Sequence, residues 1–545
     1  MKRNTLSTIF IIVVICCFIN KTEAQELDNE VYPNYESVWH HEDLETNGVV
    51  GISLEKAYEF LKKTGRKSTS IVVAIVDSGI DTSHVDLKEN LWNNPGEIPA
   101  NEKDDDGNGY VDDYYGWNFL GNSKGENVNG DTWELTRYYS ILKKEFDGKT
   151  KKQIQKNQKE EYETWLKVKE DYEAQKLEQQ QEVEYLAKMV TLYEIVSEIL
   201  AKHLAKQDFT LEDVLAIETK NDTLAEAKRI FSNYASRGME LSEMKSWLKN
   251  SKSELDTKLN PLFFARENMG DNLNSMEDSI YGNPDVMAET PGHGTSVGGT
   301  VGAVRNNGIG VNGIADNVKL MAVRVVPGGD ERDKDVAMGI RYAVNNGAKI
   351  INGSFGKDFS PNKKFVDDAV KYAESKNVLI VHAAGNDGKD IDLGNNFPCP
   401  VYLDNGKRAS NWIEVGASSR TNNENLNADF SNFGVKTVDV FAPGVDIMST
   451  KPGSKFGESS GTSLASPVVA GVAALVWSYY PELTAVELKK IIEDSSVKFP
   501  GLKVNILNAK GKYVTIDFAK ISRTGGVLNA YEAVKMADEF VKNKK

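Results

Sequence analysis

The chain has 545 residues, of which 80 are acidic and 65 basic, so its formal net charge is -15; 40% of the residues are hydrophobic and 27% charged. This length allows one large core with an accessory element, and the composition excludes a wholly disordered chain. The acidic balance argues against nucleic acid as a partner. The 3 cysteines exclude a disulfide framework.

The first 24 residues have the pattern of a secretory signal peptide. Lys2 and Arg3 precede an apolar run at residues 9–19, and Ala24 closes a small-x-small cleavage site. A membrane-spanning anchor is the alternative, but it needs about 20 apolar residues and this run has about half of them. We therefore expect a cleaved leader and no membrane span.

Removal of the leader would start the mature chain at Gln25. Lipid attachment at Cys17 is disfavoured because Cys16 stands where a small residue is expected. Cys399 is then the one remaining cysteine, so no intramolecular disulfide is expected. The mature protein is expected to be secreted or periplasmic.

Short apolar runs alternate with helical stretches from residue 71 onward. The runs lack polar alternation, which is typical of parallel strands buried on both faces. They lie at residues 71–76, 319–326, 348–352 and 378–383, and helical spacing occurs at 333–345 and 364–375. We predict an α/β fold with a doubly wound, mainly parallel sheet flanked by helices.

Residues 123–284 interrupt this alternation and are predicted to form an inserted helical subdomain. Helices are expected at 151–204, from a capping box at 210–213, and at 241–259. The predicted apolar stripe of the first helix consists of Trp165, Val168, Tyr172, Leu186, Val190, Tyr193, Ile195, Leu200 and Leu204. The insertion carries no chemical motif, so packing, shielding or partner binding is expected. The catalytic domain would then comprise residues 25–122 and 285–545.

Three motifs carry side chains suited to nucleophilic catalysis. Asp77 ends an apolar strand, where open α/β sheets place their chemistry, although a cap or turn residue is the alternative. His293 lies between glycines in PGHGT and is one of only 6 histidines; a structural capping histidine is the alternative. Ser463 opens a small-residue helix whose N-terminus suits an oxyanion, although it could be an ordinary N-cap.

The motifs VDSGID, GHGT and GTSLASP, in that order, resemble the signature motifs of the subtilisin-like serine proteases, the subtilases. The resemblance covers about residues 50–122 and 285–535. It implies that Asp77, His293 and Ser463 form a triad that hydrolyses peptide bonds through an acyl-enzyme. It further implies that Asn386, in VHAAGNDG, donates to the oxyanion, although Asn386-Asp387-Gly388 is also a plausible turn.

The same resemblance suggests how a polypeptide substrate would bind. Ser354, Phe355 and Gly356 resemble the segment that pairs with an extended substrate by strand addition. Residues 395–398 resemble the rim and base of the primary specificity pocket. Asn396 stands where the family commonly has glycine, which leaves the preferred side chain open.

One expected calcium site rests on the resemblance to subtilases. In it, Asp86 and Asn307 would supply side-chain oxygens, and Arg305, Ile309 and Val311 would supply carbonyls. Ligands that are all oxygens suit a hard cation.

A second expected calcium site rests on the acidic run DDDGNG. Asp104, Asp106, Asn108 and Asp113 are its candidate ligands. Tyr115 occupies the twelfth position in place of glutamate, so the run is not an EF-hand. A solvated acidic turn is the alternative.

The sequence departs from compact subtilases between the first two motifs. Asp77 and His293 lie 216 positions apart. The stretch from the expected mature start, Gln25, to residue 71 has about 46 residues, too few for a folded inhibitory propeptide. Because Asp77 and His293 have to meet, both ends of the insertion should lie near the catalytic face. The insertion is therefore expected to overhang the cleft, with a bundle packed on the flank as the alternative.

The functional hypothesis is a secreted, calcium-stabilised serine endopeptidase acting on polypeptides. A non-catalytic protein-binding module on a subtilase scaffold is the alternative. The intact set of Asp77, His293, Asn386 and Ser463 argues against it, since a scaffold without activity has no need of all four.

Overall fold

The computed structural model describes residues 32–35, 37–289, 291–394, 396–508 and 511–544. The expected signal peptide at residues 1–24, with Cys16 and Cys17, lies outside the described residues. Asn395, at the start of the expected pocket stretch, also lies outside them. Within the described residues Cys399 is a free cysteine.

Fifteen strands and thirteen helices are described. The strands are β1 Asn34–Tyr35, β2 Ile71–Asp77, β3 Gly116–Asn118, β4 Gly310–Val311, β5 Val318–Arg324, β6 Ile350–Gly353, β7 Leu379–Ala383, β8 Trp412–Ser418, β9 Val440–Pro443, β10 Ile447–Lys451, β11 Lys455–Ser459, β12 Val497–Lys498, β13 Lys503–Leu507, β14 Tyr513–Asp517 and β15 Gly526–Val527. The helices are α1 Leu44–Asn47, α2 Leu54–Thr64, α3 Glu134–Phe146, α4 Lys159–Leu204, α5 Leu211–Leu215, α6 Asp222–Ala235, α7 Leu241–Asp256, α8 Gly292–Gly302, α9 Asp333–Asn345, α10 Lys363–Ser375, α11 Thr462–Tyr479, α12 Ala485–Asp494 and α13 Ala530–Lys544.

Nine of the described strands form one sheet in the order β12-β15-β9-β8-β7-β6-β2-β5-β3. Neighbouring strands are parallel except for the pair β12 and β15. Strands β3 and β5 follow β2 in the chain and lie on one side of it, whereas the later strands β6, β7 and β8 lie on the other side. The strand order therefore reverses at β2, which is the switch point of the sheet. Open α/β sheets bind their ligands beside such a point. The predicted fold class is confirmed.

Strand β2 is apolar up to its last residue, Asp77, because helices cover both faces of the sheet. Val73 and Ile75 pack into the core that includes α8 and α11, whereas Ala74 and Val76 pack into the core that includes α9 and α10. All four side chains are at most 1% exposed. This two-sided burial explains why the strand shows no polar alternation.

Helix α11 crosses beneath the sheet and is built from small and branched apolar residues. At Gly471 an added Cβ would lie 2.7 Å from Cβ of Ile314, so the helix can approach this closely only with glycine there. By length and composition it is the one helix among the described residues that could cross a membrane, but 89% of it is buried inside the protein. That burial is the behaviour of a core helix.

Helices α3 to α7 form the region between β3 and α8. One apolar cluster joins α3 to the first half of α4, with Tyr139 stacked on Tyr172 at 3.9 Å between ring centroids. A second cluster joins the last part of α4 to α5, α6 and α7 around Tyr193 and Phe231. The long helix α4 is consistent with the helical insertion predicted for this region.

The chain enters and leaves this helical region at one place. Asn118 donates its backbone N–H to the carbonyl of Asn283 at 3.0 Å, and Asn283 returns the bond to Asn118 at 3.1 Å. We call this pair the stem. Because Asn118 ends β3 at the edge of the sheet, the stem fixes the helical region to the core.

Two buried ion-pair groups tie the helical region to the core beyond the stem. Nζ of Lys357 lies 2.7 Å from Oε2 of Glu134 on α3 and 2.9 Å from Oδ1 of Asp333 on α9. The guanidinium of Arg266 lies 2.7 Å from Oδ2 of Asp335 on the same α9. All five side chains of these ion pairs are at most 8% exposed.

The structure corrects three details of the predicted helices. Residues 151–158 form two short 3-10 turns, and the long helix begins only at Lys159. Ile195 is 50% exposed and Val196 takes the buried position, because the apolar stripe drifts around a straight helix of this length. Helix α3 was not predicted, although Leu135, Tyr139, Leu142 and Phe146 follow helical spacing.

Candidate active site

Asp77 is the last residue of β2 and is 1% exposed. Its Oδ1 accepts the backbone N–H of Ser78 at 2.7 Å. Its Oδ2 is buried and has no hydrogen-bond partner among the described residues. The carboxylate is thus held in one orientation at the switch point of the sheet.

His293 is the second residue of α8 and faces Asp77. Nδ1 of His293 lies 2.7 Å from Oδ1 of Asp77, so Nδ1 carries the hydrogen and Nε2 is free to accept a proton. Partial burial lowers the pKa of His293, but the charge of Asp77 outweighs burial and raises the pKa above its usual value. An added Cβ at Gly294 would lie 2.2 Å from the carbonyl oxygen of Gly79, which explains the glycine beside the histidine.

Ser463 is the second residue of α11, so its backbone N–H has no acceptor within the helix. Its hydroxyl donates to the carbonyl oxygen of Ser354 at 3.2 Å. Within the described residues it makes no hydrogen bond to His293. Catalytic hydrogen bonds are often loose in ligand-free structures.

Asn386 follows β7 and is fixed by the residue before Ser463. Its Oδ1 accepts the backbone N–H of Thr462 at 2.8 Å and the hydroxyl of Thr462 at 2.9 Å. This leaves the two amide hydrogens of Asn386 for another acceptor. Asn386 and Ser463 line the same cavity.

That cavity has a volume of about 560 Å³ and is lined by residues from both the core and the helical region. We call it the Ser463 cavity. Of the four residues expected to bind substrate, Phe355, Gly356 and Asn396 lie in its wall and Ser354 does not. Glu178 and Glu182 of α4 also line it; the insertion was expected to overhang the cleft, but no motif marks these two side chains.

Asn396 narrows the Ser463 cavity. Its Oδ1 would be 2.7 Å from a Cβ added at Gly356, and its Nδ2 donates to Oε1 of Glu414 at 3.3 Å. Glu414 is buried behind it and is bonded to Trp412 Nε1 at 2.7 Å and to His382 Nδ1 at 3.1 Å. The network orients the carbonyl oxygen of Asn396 toward the facing wall.

The first expected calcium loop folds around Asp86, which is fully buried. Oδ1 of Asp86 accepts from Nδ2 of Asn307 at 2.7 Å, and Oδ2 accepts from the backbone N–H of Val311 at 2.9 Å. Ile309 donates its N–H to Asn307 Oδ1 at 3.1 Å, and the side chain of Arg305 turns to the carbonyl of Gly313.

Burial raises the pKa of Asp86 to about 6. Among the described residues this carboxylate has no cationic partner, and a buried carboxylate without one fits a bound cation. Asp86 and the loop at residues 305–311 would hold it.

The second expected calcium loop brings together a partly different set of carboxylates. Oxygens of Glu97, Asp106 and Asp113 lie within 4.8 Å of one another. Asp104 instead accepts the N–H groups of Asn108 and Gly109 at 3.0 and 2.8 Å.

Asn108 contributes to the cluster through its side-chain amide, which donates to Asp106 at 3.1 Å and to Asp113 at 3.2 Å. Glu97 was not predicted, because it reaches Asp106 from outside the acidic run. Its Oε2 is buried and has no partner among the described residues. An unpartnered oxygen beside two further carboxylates fits a hard divalent cation.

Comparison with known proteins identifies the family of the chain. The profile of the subtilase family (Peptidase S8) matches residues 68–512, more than half of the chain. The chain therefore belongs to the subtilase family, and the resemblance of its three motifs is confirmed.

Individual relatives match only part of the chain. Alkaline elastase YaB of Bacillus sp. (strain YaB) is 38% identical over 219 residues, which are 40% of this chain and 53% of the relative. Subtilisin BL of Lederbergia lenta is 37% identical over 227 residues, 41% of this chain and 77% of the relative. The chain thus spans about half the length of the first of these. A solved structure of proteases from Pseudoalteromonas arctica PAMC 21717 aligns with a TM-score of 0.37 at 31% identity, covering 45% of this chain and 70% of that one.

Proposed function

We propose that the protein is a serine endopeptidase that uses Asp77, His293 and Ser463 as its catalytic triad. The observation that carries the proposal is the 2.7 Å contact between His293 Nδ1 and Asp77 Oδ1 on the catalytic side of a subtilase sheet. The cavity that contains Ser463 and Asn386 supports it.

In the first step the hydroxyl of Ser463 turns from Ser354 to Nε2 of His293. Oγ attacks the carbonyl carbon of the scissile bond while His293 takes the proton. Asp77 holds the imidazole in the required tautomer and stabilises the imidazolium. The oxyanion accepts hydrogen bonds from the amide of Asn386 and from the backbone N–H of Ser463.

The intermediate then collapses to an acyl-enzyme. The C–N bond breaks and His293 gives its proton to the leaving amine. Water attacks the acyl carbon by the same route, and Ser463 recovers its proton when the new carboxylic acid leaves. The segment Ser354, Phe355 and Gly356 would hold the substrate backbone by strand addition.

We also propose that calcium stabilises the fold, that the mature chain is secreted or periplasmic, and that residues 123–284 form a subdomain inserted in the catalytic domain. The buried carboxylate of Asp86 and the cluster of Glu97, Asp106 and Asp113 support a bound cation. Bound calcium would neutralise these carboxylates and cross-link their loops.

Labelling by a fluorophosphonate probe tests the enzymatic proposal. The folded protein in calcium should be labelled at Ser463 and should hydrolyse casein, whereas the Ser463→Ala variant should do neither. Absence of both reactions in folded, calcium-loaded wild-type protein would favour the alternative, a non-catalytic binding module on a subtilase scaffold.

A further inference from the structure

Helix α4 presents one polar stripe toward the Ser463 cavity. Gln175, Glu178 and Glu182 are at positions i, i+3 and i+7 of the helix, so they share a face, and all three line the cavity. The nucleophile and this stripe therefore border the same 560 Å³ space.

Buried contacts fix the orientation of this stripe. Gln179, one residue after Glu178, donates to Oγ of Ser251 on α7 at 2.7 Å and is 9% exposed. The hydroxyl of Tyr172 donates to the carbonyl of Leu259 at 2.9 Å. Rotation of α4 would break both bonds, so Glu178 and Glu182 are held at the cavity.

The acidic groups of the cavity outnumber its free basic groups. Lys357, the basic residue of the lining, is buried against Glu134 and Asp333. Lys389, outside the lining, lies 2.6 Å from Asp358 and 3.1 Å from Asp387. Both lysines are therefore already neutralised.

The carboxylates of Glu178 and Glu182, unlike the two lysines, are not neutralised by a partner of opposite charge among the described residues. Glu178 and Glu182 are exposed, and among the described residues they have no hydrogen bond or ion pair. Asp171, one turn before Gln175, has a raised pKa because of burial and of nearby negative groups that include Asp358. Carboxylates thus line the cavity both on α4 and in the loop after Gly356, where Asp358 lies.

A small metal ion does not suit these two carboxylates. The one group of three or more ligand atoms within 4.8 Å among the described residues is formed by Glu97, Asp106 and Asp113, on another loop. A long, extended cation that enters from the Ser463 side fits the cavity better. In a polypeptide, the side chains of lysine and arginine have that form.

We propose that Glu178 and Glu182 of α4 determine substrate specificity by selecting lysine or arginine at the residue that supplies the scissile carbonyl. This inference rests on the proposed endopeptidase function. It assigns to the inserted helical region a direct role in substrate binding.

The experiment compares two peptide substrates that differ only at that residue, one with lysine and one with its uncharged analogue norleucine. For the wild type we expect a higher kcat/KM for the lysine peptide. In the double variant Glu178→Gln, Glu182→Gln that preference should fall about tenfold, mainly through KM, since two partly solvated ion pairs are removed. The preference of the wild type should also weaken as salt is raised.

The control variant removes the same charge from the other side of α4. Glu173 and Glu184 are exposed and do not line the cavity, so Glu173→Gln, Glu184→Gln should leave the preference unchanged. The charge reversal Glu178→Lys, Glu182→Lys should turn the preference toward a glutamate peptide.

The outcomes separate this inference from the proposed function. If the wild type is labelled by an uncharged fluorophosphonate and cleaves the norleucine peptide, the endopeptidase proposal stands. A lysine preference that is absent, or equal in the wild type and in Glu178→Gln, Glu182→Gln, would then overturn the specificity inference alone. A wild type that neither reacts with the probe nor cleaves either peptide would overturn both. Equal labelling rates of the two Gln variants would show that they are folded.

Discussion

Replacing Glu134 with glutamine should destabilise the protein in a pH-dependent way. Burial by itself would raise the pKa of Glu134, but the charges of Lys357 and Arg137 outweigh burial and lower the pKa from 4.5 to about 2. Lys357 lies 2.7 Å and Arg137 2.8 Å from the carboxylate. A difference of about 2.5 pH units at about 1.36 kcal/mol per unit corresponds to about 3 kcal/mol of folding free energy.

The sign of the pH dependence follows from the lowered pKa. The folded-state pKa of Glu134 lies below the unfolded value, so the contribution is complete above about pH 4.5 and is lost as the pH falls toward 2. Glu134→Gln should therefore lower the free energy of unfolding by about 3 kcal/mol at pH 7 and by about 1 kcal/mol at pH 3.

Urea unfolding followed by tryptophan fluorescence at both pH values measures this difference. Glu173→Gln is the control, since Glu173 is exposed and lies 3.8 Å from Lys169 on the surface of α4; it should change the unfolding free energy by less than about 0.5 kcal/mol. The reasoning would be refuted by a loss for Glu134→Gln that is the same at pH 7 and pH 3, or that does not exceed the control.

Four other outcomes are expected. Ser463→Ala and His293→Ala should each reduce kcat about 10⁶-fold, and the double variant little more, because the two residues act as a unit; steady-state kinetics giving additive losses would contradict the triad. Asn386→Ala should reduce kcat about 10²- to 10³-fold with little change in KM, and a change confined to KM would exclude its role at the oxyanion. A chelator should lower the melting temperature, and Asp86→Ala should remove most of that response; identical wild-type melting curves with and without chelator would argue against bound calcium. Replacing residues 184–246 by a short Gly/Ser linker should preserve peptide cleavage and shift the melting temperature by less than about 4 °C. The reason is that this part of the helical region packs mainly on itself. Loss of cleavage in a folded variant would show instead that residues 184–246 support the cavity.

The structure limits how much of the helical region can be deleted without disturbing the core. Removing about residues 124–283 would take away Glu134 and Arg266 together with the rest of the insertion. Lys357 would then keep only Asp333 as an ion-pair partner, and Asp335 would lose Arg266. Breaking a buried pair costs about 3 to 5 kcal/mol, so a deletion of that size would measure misfolding as well as access to the cleft.

The core of the fold could be predicted because its signals are local. The strands around β2 are continuous apolar runs, and helix α9 was predicted with its observed bounds, Asp333–Asn345. Asp77, His293 and Ser463 each lie in a short motif at the end of such an element.

The missing parts depend on tertiary structure. Glu97 has no motif, and only the folding of the acidic loop brings it to Asp106 and Asp113. The position of Glu178 and Glu182 at the cavity could not be predicted either, because α4 is polar around most of its first half and packing against α3 and α7 determines which face meets the cavity.

The stem at Asn118 and Asn283 separates the residues that line the Ser463 cavity into two groups by their place in the chain. The proposed triad and Asn386 lie outside the segment that the stem closes. Glu178 and Glu182, which form part of the cavity wall, lie within that segment. Lengthening a closed loop twofold costs only about 0.6 kcal/mol in chain entropy, so a different helical segment could join the same two asparagines if it also supplied buried partners for Lys357 and Asp335. Exchange of this segment would then change the substrate preference proposed for Glu178 and Glu182. The proposed triad of Asp77, His293 and Ser463 would stay unchanged.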